Sequence, residues 1–224
     1  MRIDRLHLQT AHLEALSEFY AEKFELDVRS VEDDSVVVAF GETSVVFEPS
    51  PTGTNPYYHF AITVPSNRFD DAVAWLTDRV EPLTDPDTDE QTFSFEFMNA
   101  HAVYCLDPAG NVVELIARHG LPDATGAFDA GRFRRVSEIG LPTPDVRHTV
   151  EALEDAVGAT RWDESTDEFA VVGDDEGLFV VVETGRPWYP TDTRASDRFP
   201  VTVATPDAVD VRTFETLPYR IEPA

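Results

Sequence analysis

The chain has 224 residues and sets 43 acidic side chains against 17 basic ones, a formal charge of −26. That balance excludes a nucleic-acid-binding surface built on basic charge, while 42% hydrophobic and 11% aromatic residues exclude wholesale disorder. No run approaches the ~20 apolar residues that span a bilayer, and the opening MRIDRLHL lacks a signal-peptide core. A cytoplasmic globular protein is expected, with no membrane or nucleic-acid partner.

Arginine supplies every basic residue except Lys23, and the acidic residues are spread along the whole chain. Lysine poverty with dispersed carboxylates fits a salt-rich, halophilic cytoplasm, where a Debye length of ~3 Å screens self-repulsion. The one cysteine, Cys105, excludes an intramolecular disulfide and a cysteine metal cage. Histidines and carboxylates must hold any metal.

In chain order, a strand is predicted at Ile3 to Gln9. A helix follows, with Leu13, Leu16, Phe19, Tyr20 and Phe24 on one face. Short β-rich runs come next at Val28 to Val31, Val36 to Phe40 and Ser44 to Glu48, before a Pro/Ser/Thr/Gly connection at Pro49 to Pro56. The pattern then repeats: a strand at Tyr57 to Val64, helix positions Phe69, Val73, Leu76 and Val80, and strands at Thr92 to Phe97, Ala102 to Leu106 and Asn111 to Ala117. The last two flank the turn Asp107-Pro108-Ala109-Gly110. After a polar linker, 120–131, comes a third copy: a strand at Val136 to Leu141, helix positions Val146, Val150, Leu153 and Val157, and strands at Phe169 to Val172 and Leu178 to Glu183. A fourth begins at Phe199 and has room only for a truncated version.

Tandem βαβββ modules closing with DPAGNVVELIARHG resemble the vicinal oxygen chelate superfamily, which includes glyoxalase I, type I extradiol dioxygenases and bleomycin- and fosfomycin-resistance proteins. The arrangement Tyr58-His59-Phe60, Asn99-Ala100-His101 and Asp107 to Glu114 also resembles glyoxalase-like proteins of similar length. The resemblance implies an α+β fold: modules 1–55 and 56–119 paired around a metal site, the linker, and 132–224 as a degenerate third and truncated fourth module.

Strand parity places His7, His59 and Glu114 on faces opposite their apolar neighbours. A carboxylate flanked by Val113 and Leu115 is costly to bury without a cation. The superfamily pattern puts metal ligands on the first strands of two modules and the last strand of the second, and these match His7, His59 and Glu114. Two imidazoles and a carboxylate suit Fe(II) first, with Mn(II), Zn(II) or Ni(II) as alternatives. By likeness to glyoxalase I, Glu48 is a candidate fourth ligand or catalytic base. If Leu106 faces Asn111 across the turn, His101 shares Glu114's face and is a candidate acid/base group, whereas Tyr104 falls on the other face.

The implied function is a metal-dependent enzyme that chelates two oxygens of a small substrate and stabilises an enediolate or catecholate-like anion. Two imidazoles tilt this reading toward a dioxygenase over an isomerase or lyase. The alternatives are a metal-free protein sequestering a drug between Phe93, Phe95, Phe97, Trp75 or Trp188, marked by His7 and His59 lacking a common centre, and a non-catalytic scaffold. A homodimer is compatible with either. The charge yields a prediction of its own: the melting temperature should rise from about 0.1 M to about 3 M KCl as repulsion is screened. An unchanged melting temperature contradicts the halophilic reading.

Overall fold

A computed structural model describes residues 1–31 and 35–224. The first module comprises β1 (Arg5–Thr10), α1 (Leu13–Glu18) extended by a π-helical turn over Phe19–Lys23, β2 (Val28–Val31), β3 (Ser35–Phe40) and β4 (Thr43–Pro49). The second has β5 (His59–Thr63), α2 (Phe69–Thr77), β6 (Thr92–Phe95), β7 (Ala100–Leu106) and β8 (Val112–Arg118). The third has β9 (Val136–Thr143), α3 (Val146–Val157), β10 (Phe169–Asp174) and β11 (Gly177–Glu183), and the truncated fourth keeps β12 (Val201–Thr205), β13 (Arg212–Thr213) and β14 (Tyr219–Pro223). The expected α+β class with repeated modules is therefore observed. Among the described residues, no helix is long and apolar enough to cross a membrane.

Local sequence explains the helices. Leu16, Tyr20 and Phe24 are fully buried along one face of α1 and its extension, at the four-residue step that keeps side chains on one helical face. In α3 the same rule buries Val146, Val150, Leu153 and Val157; the Asp145 carboxylate accepts from the His148 N–H to cap the start, and Gly158 at φ 65° ends it.

The strands form two curled seven-stranded mixed sheets, ordered β13-β14-β12-β1-β4-β3-β2 and β10-β11-β9-β5-β8-β7-β6. Pairing across modules differs from the expected union of the first with the second. β1 is flanked by β4 in parallel and by β12 in antiparallel register, Leu6 opposite Val203. The truncated fourth module thus completes the first module's sheet. β5 is flanked by β8 in parallel and by β9 in antiparallel register, Phe60 opposite Ile139. The second and third modules therefore share a sheet.

The main core gathers one face of each sheet and the helices, including Leu6, Phe47, Phe60, Leu115, Leu141 and Phe179. Alternate residues of the second sheet, among them Ala61, Tyr104, Val112, Ile116 and Val180, form a separate cluster on its opposite face, joined by Trp188 from the segment after β11. That second face carries the site.

Candidate metal centre

The β7–β8 hairpin decides which side chains reach this face. Asp107 is buried, and its carboxylate accepts from the Ala109 and Asn111 N–H groups, each at 3.0 Å, from the Asn111 side chain at 2.7 Å and from the Tyr20 hydroxyl at 2.7 Å. This loop is one residue longer than a four-residue turn, so Leu106 faces Val112 rather than Asn111. A one-residue change of register turns every side chain of the strand to the other face. Tyr104 consequently lies opposite Glu114, while His101 lies opposite Ala117 on the face that packs toward α2 and the main core, away from the site. There His101 Nδ1 is 2.7 Å from His119 Nε2, and its ring is 5.7 Å from that of Phe69. The structure does not bring His101 to the site; Tyr104 stands there instead.

Three strands supply the centre. Ala61 of β5 is opposite Glu114 on β8 and opposite Glu138 on β9, so the two carboxylates flank a methyl group in one row. His59 is two residues back along β5 on the same face. Donor atoms of His59, Glu114 and Glu138 all lie within 4.8 Å of one another, and all three residues are buried.

His59 Nδ1 is 3.1 Å from the Val112 carbonyl oxygen. Burial, opposed in part by this bond, brings the imidazole pKa down to about 4. A neutral ring beside a carbonyl must carry its proton on Nδ1, which leaves the Nε2 lone pair free, 3.5 Å from Glu114 Oε2. Glu138 is ion-paired with the fully buried Arg118. Glu114 has no such partner: burial, followed by repulsion from Glu138, raises its pKa well above the ordinary value, with Arg118 and the Tyr104 hydroxyl opposing the shift. Burial likewise raises that of Glu138, against Arg118. One arginine thus serves two buried carboxylates; its Nη1 is also 3.7 Å from the partly exposed Asp175 Oδ1, and among the described residues its Nε and Nη1 have no hydrogen-bond partner. A neutral imidazole with a free lone pair and a carboxylate short of positive charge fit a divalent cation.

A cavity of about 190 Å³ opens above the group, walled by Phe95, Phe97, Phe169, Trp188 and Tyr189. Gly140, which takes the place of His7 when the repeats are aligned, seats the Trp188 indole: a Cβ there would come within 2.4 Å of Trp188 Cη2. The indole is in turn 5.1 Å from the His59 ring. Phe93 belongs to the same cluster, but Trp75 packs in the main core.

Of the candidate ligands, His59 and Glu114 are brought together and His7 is not. His7 sits on the other sheet, its Nδ1 2.9 Å from Glu48 Oε1, and both side chains are partly exposed. His7 and Glu48 form their own pair, apart from the buried group. Glu138 takes the third position. In an antiparallel pair such as β5–β9, residues are matched by strand register and not by repeat alignment, and by register Glu138 faces Ala61.

The family model for the Glyoxalase/Bleomycin resistance protein/Dioxygenase superfamily matches residues 2–115, half of the chain. The chain belongs to this superfamily. Its fold resembles that of a "putative dioxygenase" from Bacillus subtilis subsp. subtilis strain 168, at 16% identity and a TM-score of 0.62 over 92% of this chain and 70% of that one. It is also similar to glyoxalase I from Zea mays, at 16% identity and a TM-score of 0.52 over 91% and 75% of the two chains. At these identities the superfamily members share a fold. Curated proteins give no match.

The charge imbalance generates a prediction. With a raised Glu114 pKa, the metal-free folded state holds more protons than the unfolded chain once pH passes the ordinary 4.5, so its stability falls as pH rises. His59 acts in the opposite sense only between about 4 and 6.5, and its contribution is complete by neutral pH. Above pH ~7, metal-free Glu114→Gln should therefore melt a few degrees higher than metal-free wild type, 1 kcal/mol being roughly 2–4 °C at this size. Added divalent ion should reverse the order. A lower melting temperature for metal-free Glu114→Gln contradicts the account.

Proposed function

We propose that this superfamily member is a divalent-metal-dependent enzyme that binds two neighbouring oxygens of a small substrate and transfers a proton beside a carbonyl. The observation that carries the reading is the pair of buried carboxylates served by one arginine. With Arg118 balancing Glu138, a divalent ion leaves one positive charge in excess, suited to an enediolate or related anion. His59, Glu114 and Glu138 would hold the ion, which when bound supplies Lewis-acid polarisation of the substrate oxygens.

The chain's own groups supply the rest. Arg118 fixes Glu138, so Glu114 is the less tethered carboxylate and the proton acceptor. It takes a proton from the carbon next to the carbonyl; the C–H electron pair becomes the new C=C bond as the carbonyl π pair moves onto its oxygen. The proton then returns to the former carbonyl carbon, the C=C pair forming that C–H bond while the other oxygen gives up its proton to solvent and becomes the carbonyl, and the carboxylate is regenerated. The Tyr104 hydroxyl, directed at Glu114, orients that carboxylate. The aromatic walls exclude water and strengthen each electrostatic contact.

The donor set moves the preference among superfamily reactions. A dioxygenase reading leaned on two imidazoles and a nearby His101, whereas this group has one imidazole and two carboxylates and no acid/base histidine beside it. Such an oxygen-rich set suits Mn(II), with Fe(II), Zn(II) and Ni(II) as competitors. Metal-free sequestration has the aromatic cavity and the separation of His7 from His59 in its favour. It leaves Glu114 to hold a proton in place of a counter-charge and gives the buried His59–Glu114–Glu138 group no task.

Protein purified without chelator should carry about one divalent ion per chain, lost in His59→Ala and in Glu138→Gln and kept in His7→Ala. In a panel of 2-oxoaldehyde–thiol adducts and catechols, an adduct should exchange its proton with deuterated solvent, and Glu114→Gln should slow this ~10²- to 10⁴-fold. Metal-free wild type that binds aromatic compounds tightly would establish sequestration instead, and oxygen uptake with a catechol would establish the dioxygenase.

A further inference from the structure

The cavity has a buried end and an exposed end. Glu114 and Glu138 are almost fully buried, whereas Phe97 is 38% and Tyr189 45% exposed. Arg186 is also exposed and, among the described residues, is the one cationic side chain lining the cavity. Its guanidinium stacks 5.3 Å from the Phe169 ring centre. Among the described residues no carboxylate lies within ion-pair distance of it, in a chain with 43 acidic side chains. Its backbone is clamped from both sides, since its N–H donates to the Glu183 carbonyl at 3.1 Å and its carbonyl accepts from the Ser196 N–H at 2.8 Å. The guanidinium is thus presented at the mouth with its donors free, on an aromatic platform that leaves its edge open to a planar anion.

Size limits the ligand further. The cavity of about 190 Å³ falls below the ~300–1,000 Å³ of drug-sized sites and above the ~150 Å³ that takes one benzene. Inside the mouth that is room for a single ring or a branched chain of similar bulk. We infer that the substrate is a monocyclic or similarly compact apolar molecule bearing a carboxylate, which Arg186 binds at the mouth while the two chelating oxygens reach His59, Glu114 and Glu138. The inference rests on the metal-dependent reading above and adds Arg186 as its specificity-determining residue.

Catechol and 3,4-dihydroxybenzoate test it, because both offer two adjacent oxygens on one ring and differ only in the carboxylate. Calorimetric binding to Mn(II)-loaded protein should favour the carboxylated ring by about threefold to tenfold, the range of a partly exposed charge-assisted pair. Arg186→Gln should reduce that preference to less than twofold, and Arg186→Lys, which keeps the charge, should retain part of it. If catechol binds but wild type shows no preference, or Arg186→Gln retains the whole preference, the role of Arg186 is overturned and the metal-dependent reading stands. If neither ring binds the loaded protein, both fall together.

Discussion

Two carboxylates buried in one row on either side of Ala61, with a single buried arginine to balance both, are the constraint on which the site depends. Side chains facing an apolar cluster cannot hold an unbalanced negative charge without cost, so either a proton or a cation must occupy the space between Glu114 and Glu138. Arg118 meets half of the requirement through Glu138. What remains is an unpaired carboxylate, a neutral imidazole with its lone pair free, and the methyl group of Ala61 where a larger side chain would close the gap.

The sheet topology creates this arrangement. Because β5 lies between β8 and β9, one residue on β5 has neighbours on both sides, and acidic residues from two different modules converge on it. The first and fourth modules form the other sheet, whose corresponding face carries His7 and Glu48 as a partly exposed pair. Tyr58 joins the two halves: its hydroxyl accepts from the Gln9 N–H and donates to the Pro200 carbonyl, each at 3.0 Å.

Much of this was legible from periodicity. Strand parity placed His59 and Glu114 opposite the core residues Phe60, Val113 and Leu115, as observed. Module order was legible too, but not which modules hydrogen-bond, because the alternating patterns of β1 and β5 fit either partner. Glu138 was hidden for that reason, since repeat alignment matched Gly140 to His7 while the antiparallel register set Glu138 beside Ala61. The His101 and Tyr104 assignments were exchanged by one residue of loop length. The signal lay in Asp107 and Asn111, an aspartate and asparagine able to bond across a longer turn. Their burial beneath Tyr20, a contact 87 residues apart in the chain, is tertiary information that no local pattern carries.

The central claim is that the cation belongs to the buried row on β8, β5 and β9. Anomalous diffraction from crystals grown with Mn(II) tests it most directly. The account predicts one strong peak per chain, bounded by His59 Nε2 and by oxygens of Glu114 and Glu138 at roughly 2.0–2.3 Å. A peak at His7 and Glu48 with none in the buried row, or no peak at all, would contradict it.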